Sequence, residues 1–212
     1  MGKLWILATS VFAAGCFSLA MASAIEKPKS QAADELDGAV PTSAPAAFLD
    51  FCKREAQECE PRNLSQGKGQ LLNASQWMLV QTINVEVNRR IQAADDRDIY
   101  GRDEFWAMPI DRGDCEDYAI LKRHLLREGG LDDASLLITV VRDEKGEGHA
   151  VLTLAMIDGD YILDNRRDVI LPAELTGYEF LKRQSQDNPR EWVSLAKPQA
   201  GDVASLQANS HP

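Results

Sequence analysis

The sequence predicts an α+β fold in which helices from the N-terminal half pack on an antiparallel sheet from the C-terminal half. Apolar residues recur with a helical period between residues 75 and 128. Between residues 135 and 195 they instead alternate or form short runs, as strands do. Asp158-Gly159 separates two of these runs and is typical of the tight turn that joins antiparallel strands.

The first predicted helix covers residues 75–93. Its apolar residues recur every four positions from Leu79 to Ile91, so they share one helix face. Ser75 is a suitable cap for the start of this helix. Residues 98–109 follow as a loop rich in aromatic residues.

The second predicted helix begins after Asp114 and ends at Gly129-Gly130. Asp114 suits the N-cap position, and Asp117, three residues later, would complete an acidic capping box. The apolar face of this helix consists of Tyr118, Leu121, Leu125 and Leu126. Cys115 therefore lies in the first helical turn, beside backbone N–H groups that have no partner within the helix.

Five strands are predicted after this helix. Residues 135–142 are apolar on both faces, which favours a central strand, and residues 149–157 form the next one. The hairpin turn then leads into an antiparallel strand at 161–165. Residues 176–185 and 191–195 add two more strands.

The predicted organisation is a signal peptide (1–24), a flexible leader (25–46), one domain (47–196) and a polar tail (197–212). Lys3, a long apolar run and small residues at a cleavage position are typical of a secretory signal. A membrane anchor is the alternative, but a run of about 17 residues is short for a spanning helix. Cleavage would leave no stable membrane anchor, and we expect a periplasmic or secreted protein.

Charge and cysteine content limit the function further. A net charge of −10 argues against a nucleic-acid partner, because phosphates require a basic surface. In an exported protein, Cys52 and Cys59 are expected to form a disulfide bond. A zinc site is the alternative, but six intervening residues are poor zinc spacing. Cys115 is then left unpaired, which indicates a reactive thiol.

A thiol at a helix N-terminus gains nucleophilic character from the helix dipole but needs a base. His211 lies in the polar tail, and His124 is about 13 Å from Cys115 along the same helix. His149, at the start of a strand, is therefore the candidate base. Asp164, on the next strand, is the candidate for orienting its imidazole. Taken singly, each of these residues could have a purely structural role.

The predicted hairpin register does not bring the last two residues together by itself. A two-residue turn at Asp158-Gly159 would place Asp164 opposite Thr153, about 13 Å along the strand from the position opposite His149. Asp168 would face His149 directly and is the alternative orienting residue. A bulge, strong twist or a different turn is needed for Asp164.

Three segments together resemble the bacterial transglutaminase-like cysteine peptidases, and in particular their periplasmic LapG-like branch, which cleaves adhesins. The segments are Gly-Asp-Cys-Glu-Asp-Tyr-Ala at 113–119, Gly-His-Ala-Val-Leu-Thr at 148–153 and Ile-Leu-Asp-Asn at 162–165. Flanking similarity at 87–91, 100–109 and 176–178 extends the resemblance over roughly residues 48–195.

The resemblance implies a papain-like, transglutaminase-like α+β fold with a Cys-His-Asp triad. Transferred to this sequence, Cys115 is the nucleophile, His149 the general base and acid, and Asp164 the orienting carboxylate. The resemblance also implies that Asp114 and Glu116 bind Ca²⁺, which prefers several carboxylate oxygens. The alternative is that these acids only stabilise the start of the helix.

These features predict an exported cysteine peptidase that cleaves a protein substrate through a thioester intermediate. The oxyanion would be bound by the Cys115 backbone N–H and a second donor, for which Trp106 is a candidate. The same triad could instead transfer the acyl group to an amine, as a transglutaminase does. A non-catalytic module that binds calcium or another ligand is the third possibility.

Overall fold

The computed structural model describes residues 40–60 and 71–195. The longer helices in this part of the chain are α1 (Ala46–Arg54), α2 (Ala74–Arg90) and α4 (Cys115–Glu128), and α3 (Asp96–Tyr100) is a short helix before the loop that precedes α4. None of the described helices is both long and apolar enough to cross a membrane. The predicted signal peptide and polar tail lie outside the described residues.

The described strands form one large antiparallel sheet and one small parallel pair. The large sheet has seven strands in the order β1-β9-β8-β4-β5-β6-β7. Their bounds are β1 (Val40–Thr42), β4 (Leu136–Arg142), β5 (Gly148–Met156), β6 (Gly159–Asp164), β7 (Arg167–Pro172), β8 (Glu179–Gln184) and β9 (Trp192–Ser194). The parallel pair is β2 (Gln92–Ala93) with β3 (Arg112–Gly113). The predicted α+β class is therefore confirmed.

Several elements were not predicted from the sequence. α3 extends into the predicted aromatic loop, and the small β2–β3 pair was also missed. α1 is short, β7 is an edge strand with two exposed residues, and β1 lies inside the predicted leader. β1 pairs with β9 through three residues that are all exposed. Such a strand has no buried face, so it leaves no alternating pattern in the sequence.

The N-cap of α2 lies two residues before the predicted one. Asn73, and not Ser75, is the N-cap, and its side chain accepts a hydrogen bond from the Gln76 N–H at 2.9 Å. The Gln76 side chain accepts in return from the Asn73 N–H at 3.0 Å, which completes a capping box. A capping box formed by Asn73 and Gln76 therefore sets the start of α2.

The main hydrophobic core lies between α4 and one face of the sheet. Strand residues on this face include Leu136, Ile138, Leu152, Leu154 and Leu163, and α4 contributes Tyr118, Leu121 and Leu126. Alternate residues of each strand point to the same face, which is why these apolar residues are spaced by two. This packing holds the N-terminus of α4 against the sheet near the beginning of β5.

The β5–β6 hairpin turns one residue earlier than predicted. Its turn residues are Ile157 and Asp158, and Met156 pairs with Gly159, which has a positive φ of 137°. Extended by one position beyond its last pair, Leu152 with Leu163, this register would place Asp164 opposite Val151 instead of Thr153. Asp164 is then only two residues from the position opposite His149, a diagonal relation that long side chains can bridge.

A disulfide bond closes the segment after α1, as predicted. Cys52 and Cys59 are bonded and both are buried in the main core. The side chain of Glu58, next to the bond, contacts two residues of α4. Its carboxylate lies 2.9 Å from His124 Nδ1 and accepts a hydrogen bond from Arg127 Nη1 at 3.0 Å. The disulfide segment is thereby attached to the C-terminal half of α4.

Candidate active site

Cys115 is the first residue of α4 and its thiol lies against β5. Sγ accepts a hydrogen bond from the Ala150 backbone N–H at 3.3 Å. This N–H is available because β5 pairs with β6 only from Leu152 onward, so its first residues have no strand partner on that side. Cys115 therefore contacts the strand immediately beside His149.

His149 and Asp164 form a buried hydrogen-bonded pair. His149 Nε2 lies 2.9 Å from Asp164 Oδ1, and both side chains are almost completely excluded from solvent. The observed hairpin register makes this contact possible. Asp168, the alternative orienting residue, is exposed and accepts a hydrogen bond from Asn88 Nδ2 at 3.1 Å instead.

Two further donors fix the Asp164 carboxylate. The hydroxyl of Tyr178 donates to Oδ2 at 2.6 Å, and the Arg166 backbone N–H donates to Oδ1 at 3.0 Å. Burial of this carboxylate alone would raise its pKa, but the hydrogen bonds from His149, Tyr178 and Arg166 hold the pKa at about 2. Asp164 is therefore ionised at neutral pH and able to orient the imidazole.

The second imidazole nitrogen is free to act as a base. Among the described residues, His149 Nδ1 is buried and has no hydrogen-bond partner. The Cys115 thiol instead donates to Glu116 Oε2 at 3.2 Å. The structure thus brings the three predicted residues to one region, with His149 and Asp164 in direct contact and the thiol hydrogen held by Glu116.

A cluster of three acids lies beside the thiol. One carboxylate oxygen from each of Asp96, Asp114 and Glu116 is within 4.8 Å of the other two. Asp96 and Glu116 are buried and Asp114 is partly buried. The sequence predicted Asp114 and Glu116 here but not Asp96, which comes from α3, and only the fold brings Asp96 close to the other two.

Burial of this cluster strongly opposes ionisation of its carboxyl groups. Burial, followed by repulsion from Asp114, raises the pKa of Glu116 to about 10. Burial likewise raises the pKa of Asp96 to about 6, and that of Asp114 also rises. Each of the three has one oxygen that is buried without a hydrogen-bond partner among the described residues. A divalent cation would satisfy these oxygens, so the donor set fits Ca²⁺.

The same environment acts against the thiolate. Burial of Cys115 and the nearby Glu116 carboxylate raise the pKa of the thiol well above its usual value. This is opposite to the effect expected from the helix N-terminus alone, because desolvation and repulsion outweigh the helix dipole here. The thiol is therefore protonated at neutral pH when the acidic cluster carries no cation.

The predicted acidic capping box is not formed. Asp114 occupies the N-cap position of α4, but its side chain makes no capping hydrogen bond. Asp117 instead accepts from the Ala107 backbone N–H at 2.7 Å, which fixes the preceding loop. In that loop the indole N–H of Trp106 donates to Glu104 at 2.7 Å, so it is already engaged and is a poor second oxyanion donor.

Tyr178 is a site residue that the sequence reasoning did not assign. It follows Thr176-Gly177, which lies at the start of a predicted strand and resembles the family, and Gly177 has a positive φ of 78°. Its ring also packs edge-on to the His149 imidazole, with ring centroids 5.7 Å apart. The signal for this role was the Thr-Gly-Tyr sequence before β8.

This arrangement of a helix-terminal cysteine with a His-Asp pair on neighbouring strands defines a cysteine peptidase of the transglutaminase-like class. The sequence pattern of the bacterial transglutaminase-like cysteine proteinases (BTLCP) matches residues 39–200, and the chain belongs to this family. The family implies a protein substrate. No curated protein sequence matches the chain.

Solved structures of LapG from Legionella pneumophila are similar to this chain. One is 24% identical, covers 63% of this chain and 76% of the LapG chain, and has a TM-score of 0.49. An EGTA-treated form is 25% identical over 62% of this chain and 74% of its own, also with a TM-score of 0.49. A calcium-bound form is 19% identical over 77% of this chain and 99% of its own, with a TM-score of 0.48.

Proposed function

We propose that the protein is an exported cysteine peptidase that hydrolyses a peptide bond of a protein substrate through a Cys115-His149-Asp164 triad. The observation that carries the proposal is the buried hydrogen bond between His149 Nε2 and Asp164 Oδ1. The Cys115 sulfur lies close to this pair, because it accepts a hydrogen bond from the backbone N–H of Ala150, the residue after His149. Because Asp164 accepts from Nε2, the Nδ1 atom is left to exchange protons with the thiol.

Acylation in this proposal begins when Nδ1 of His149 takes the proton of the Cys115 thiol. The thiolate then attacks the carbonyl carbon of the scissile peptide bond and forms a tetrahedral oxyanion. In this proposal the backbone N–H of Cys115, at the start of α4, stabilises that oxyanion. As the C–N bond breaks, the His149 imidazolium gives its proton to the leaving amine, and a thioester on Cys115 remains.

Deacylation uses the same residues in reverse roles. His149 Nδ1 removes a proton from water, and the hydroxide attacks the thioester carbonyl. Collapse of the second tetrahedral intermediate breaks the C–S bond, and the sulfur regains a proton from His149. Asp164 stays ionised throughout and stabilises the imidazolium each time it forms.

We propose in addition that Asp96, Asp114 and Glu116 hold a calcium ion. The ion would supply positive charge that offsets the repulsion among these carboxylates. Support comes from their three unsatisfied buried oxygens and from their proximity. Glu116, when it serves as a ligand, would no longer accept the thiol hydrogen, so the Cys115 proton would be left to His149.

Export is part of the proposal. It is supported by the buried Cys52–Cys59 disulfide, because such bonds persist mainly in oxidising compartments. It is also supported by the apolar segment near the N-terminus. Mass spectrometry of the protein recovered from outside the cytoplasm should show a mature chain that has lost residues 1–24, and a full-length chain there would contradict the proposal.

The triad is tested by alkylation of Cys115 with iodoacetamide across pH, with excess calcium and with excess chelator. We expect calcium to permit rapid alkylation below pH ~8.5, which is the usual pKa of a free thiol. The His149→Ala variant should lose this fast reaction. His124→Ala is the matched control, because His124 lies on α4 about 13 Å further along the axis and contacts Glu58.

The two parts of the proposal fail separately. If Cys115 reacts like an ordinary or buried thiol in every condition, and His149→Ala changes nothing, no triad is assembled. If alkylation depends on His149 but is undiminished by excess chelator, the triad stands and the calcium proposal is wrong.

A further inference from the structure

Asp143 is a buried carboxylate in the turn between β4 and β5, and the proposed reaction does not use it. Its side chain is only 2% exposed. One carboxylate oxygen, Oδ1, accepts hydrogen bonds from the backbone N–H groups of Lys145 and Glu147, both at 2.9 Å. An aspartate commonly fixes a turn in this way. The turn leads directly into Gly148 and His149, so Asp143 fixes the backbone that precedes the candidate base.

The other oxygen of Asp143 reaches the turn between β6 and β7. Oδ2 accepts a hydrogen bond from Arg166 Nη1 at 2.7 Å. This bond, followed by that from the Glu147 N–H, lowers the pKa of Asp143 to about 2, so the pair is ionic at neutral pH. The backbone N–H of the same arginine donates to Asp164 Oδ1 at 3.0 Å, and this oxygen also accepts from His149 Nε2 at 2.9 Å. Arg166 therefore joins the two turns that flank the His149–Asp164 pair.

Strand pairing alone does not fix the separation of His149 from Asp164. His149 is attached to β4, because it pairs with Val141 near the end of the β4–β5 ladder. The ladder between β5 and β6 ends at Leu152 with Leu163, three residues after His149 and one residue before Asp164. Beyond that point, the ion pair between the two turns connects the strands where the backbone hydrogen bonds do not.

A second ion pair joins the same two turns but is open to solvent. Arg167 and Glu144 are 2.6 Å apart, and their side chains are 33% and 51% exposed. Exposed ion pairs contribute little, because water and salt screen them. Arg166 is also partly exposed, at 43%, but its partner Asp143 is shielded by the fold. The Asp143–Arg166 pair is therefore the stronger link between the turns.

We propose that Asp143 is a positioning residue, which acts through Arg166 to hold the Asp164 carboxylate within hydrogen-bonding distance of the His149 imidazole. This inference rests on the proposed function, in which His149 is the general base. Placement of such a pair has a large effect on rate, since a displacement of about 1 Å caused by a distant substitution can cost about a hundredfold.

Two substitutions break this link at different points. In Asp143→Asn the amide oxygen can still accept from the two backbone N–H groups of its turn, but the amide nitrogen cannot accept from a guanidinium. In Arg166→Met the backbone N–H that donates to Asp164 remains, and only the side-chain contact with Asp143 is lost. Because both variants remove the same contact, the double variant should show no larger effect than either single one.

The direct readout is the proton on His149 Nε2, observed by NMR in protein labelled with ¹⁵N-histidine. A buried proton that is donated to a carboxylate exchanges slowly with water, and the loss of its signal in His149→Ala identifies it. We expect this proton to exchange at least about fivefold faster in Asp143→Asn and in Arg166→Met than in the wild type. The His149-dependent alkylation of Cys115 in calcium should slow roughly tenfold in both variants.

Rescue by the conservative variant separates positioning from a general loss of stability. Arg166→Lys keeps a cation that can donate to Asp143, so it should recover most of the wild-type exchange and alkylation rates. If Asp143→Asn does not fold, Arg166→Met decides the question, because the partly exposed Arg166 side chain can be replaced with little loss of buried surface.

Asp160→Asn is the matched control. Asp160 also forms a close ion pair from β6, with Arg183 Nη1 at 2.6 Å, but it lies four residues before Asp164, about 13 Å along the strand. It should leave both the exchange of the His149 proton and the alkylation rate unchanged. Unchanged rates in a folded Asp143→Asn protein would overturn the proposal. Equal effects of Asp143→Asn and Asp160→Asn would also overturn it, because they would indicate a general loosening of the sheet.

Failure of this inference is distinguishable from failure of the proposed function. Proton exchange reports on the contact of His149 with Asp164 without any reaction of the thiol, and alkylation of Cys115 in His149→Ala reports on the triad. Faster exchange in Asp143→Asn with no effect of His149 on alkylation would keep the positioning role and reject the triad. Alkylation that depends on His149 but is unchanged in Asp143→Asn, together with unchanged exchange, would reject only the role of Asp143.

Discussion

At the scale of single residues, the geometry of the site depends most on Asp164. Three donors from three parts of the chain converge on its carboxylate: the His149 imidazole, the Tyr178 hydroxyl and the Arg166 backbone N–H. Hydrogen bonds to a buried charged group are stronger than those between neutral groups. The carboxylate therefore has one defined orientation, and it transmits that orientation to the imidazole.

Replacing Tyr178 by Phe should weaken the proposed triad without removing any of its members. The change deletes one charge-assisted hydrogen bond to Asp164 and leaves the ring packed on His149. We expect the rate of His149-dependent alkylation of Cys115 to fall roughly three- to tenfold, or about 0.7 to 1.4 kcal/mol. Tyr161→Phe is the control, because the Tyr161 hydroxyl meets Asp158 at only 3.5 Å near the surface. Equal rates in the wild type and both variants would show that Tyr178 does not orient Asp164.

The sequence allowed Cys115, His149 and Asp164 to be proposed as site residues because motifs of rare residue types carry them. It could not supply Asp96 or Tyr178. Asp96 and Tyr178 reach the site from α3 and from the segment before β8, so their proximity depends on tertiary packing.

At the scale of elements, α4 is fixed at both ends. Its N-terminus carries Cys115, and its C-terminal half is attached to the disulfide segment through Glu58. The carboxylate of Glu58 contacts His124 and Arg127, and the Glu58 carbonyl oxygen accepts from Arg123 and Arg127. The Cys52–Cys59 bond thus restrains a segment that packs directly on the helix that begins with Cys115.

Glu58→Ala should therefore destabilise the fold. The Glu58 side chain is largely buried, and its loss leaves part of the Arg127 guanidinium charge uncompensated. We expect the free energy of unfolding to fall by about 1 to 3 kcal/mol, as measured by urea denaturation under oxidising conditions. Glu55→Ala, at an exposed position three residues earlier, should change it by less than about 0.5 kcal/mol. Equal losses in the two variants would mean that the contacts of Glu58 contribute nothing specific.

Most elements with a buried face were predicted, with α1 as an exception, and elements without a buried face were not. α2, α4 and the central strands each bury one or both faces, so their apolar residues follow the expected periods. β1 and β7 are the edges of the sheet and expose much of their surface. The predicted position of the hairpin turn was wrong by one residue. Asp-Gly is typical of the two central residues of such a turn, so Asp158-Gly159 was assigned to it. In the structure the turn residues are Ile157 and Asp158, and Gly159 is the first residue of β6.

At the scale of the whole molecule, an acidic chain with a net charge of −10 encloses a cluster of acids that resist ionisation. Besides the three proposed calcium ligands, Asp117 also resists ionisation, because burial raises its pKa to about 8. In the folded protein these groups hold protons more tightly than in the unfolded chain. Their contribution to stability is therefore complete below the unfolded pKa values near pH ~4 and is lost as pH rises through the folded values.

This linkage predicts opposite effects of pH with and without calcium. In excess EGTA, the melting temperature should fall between about pH 5 and pH 8, as Asp96 and then Asp117 are forced to ionise. Calcium binds the ionised carboxylates, so its stabilising effect should grow over the same range. At about one hundred times its Kd, calcium contributes about 2.7 kcal/mol, or roughly 5 to 10 °C for a domain of this size.

Differential scanning fluorimetry of the wild type, with magnesium in parallel, distinguishes this linkage from a general effect of divalent ions. Magnesium should stabilise less, because it retains its water shell and suits a cage of carboxylates poorly. Glu116→Gln should lose most of the calcium effect and also part of the decline in EGTA, since the amide cannot ionise. If the stabilisation by calcium decreases as pH rises, or persists in Glu116→Gln, the ion binds elsewhere on this acidic protein. The buried carboxyl groups of the cluster would then have no cation to offset their charge.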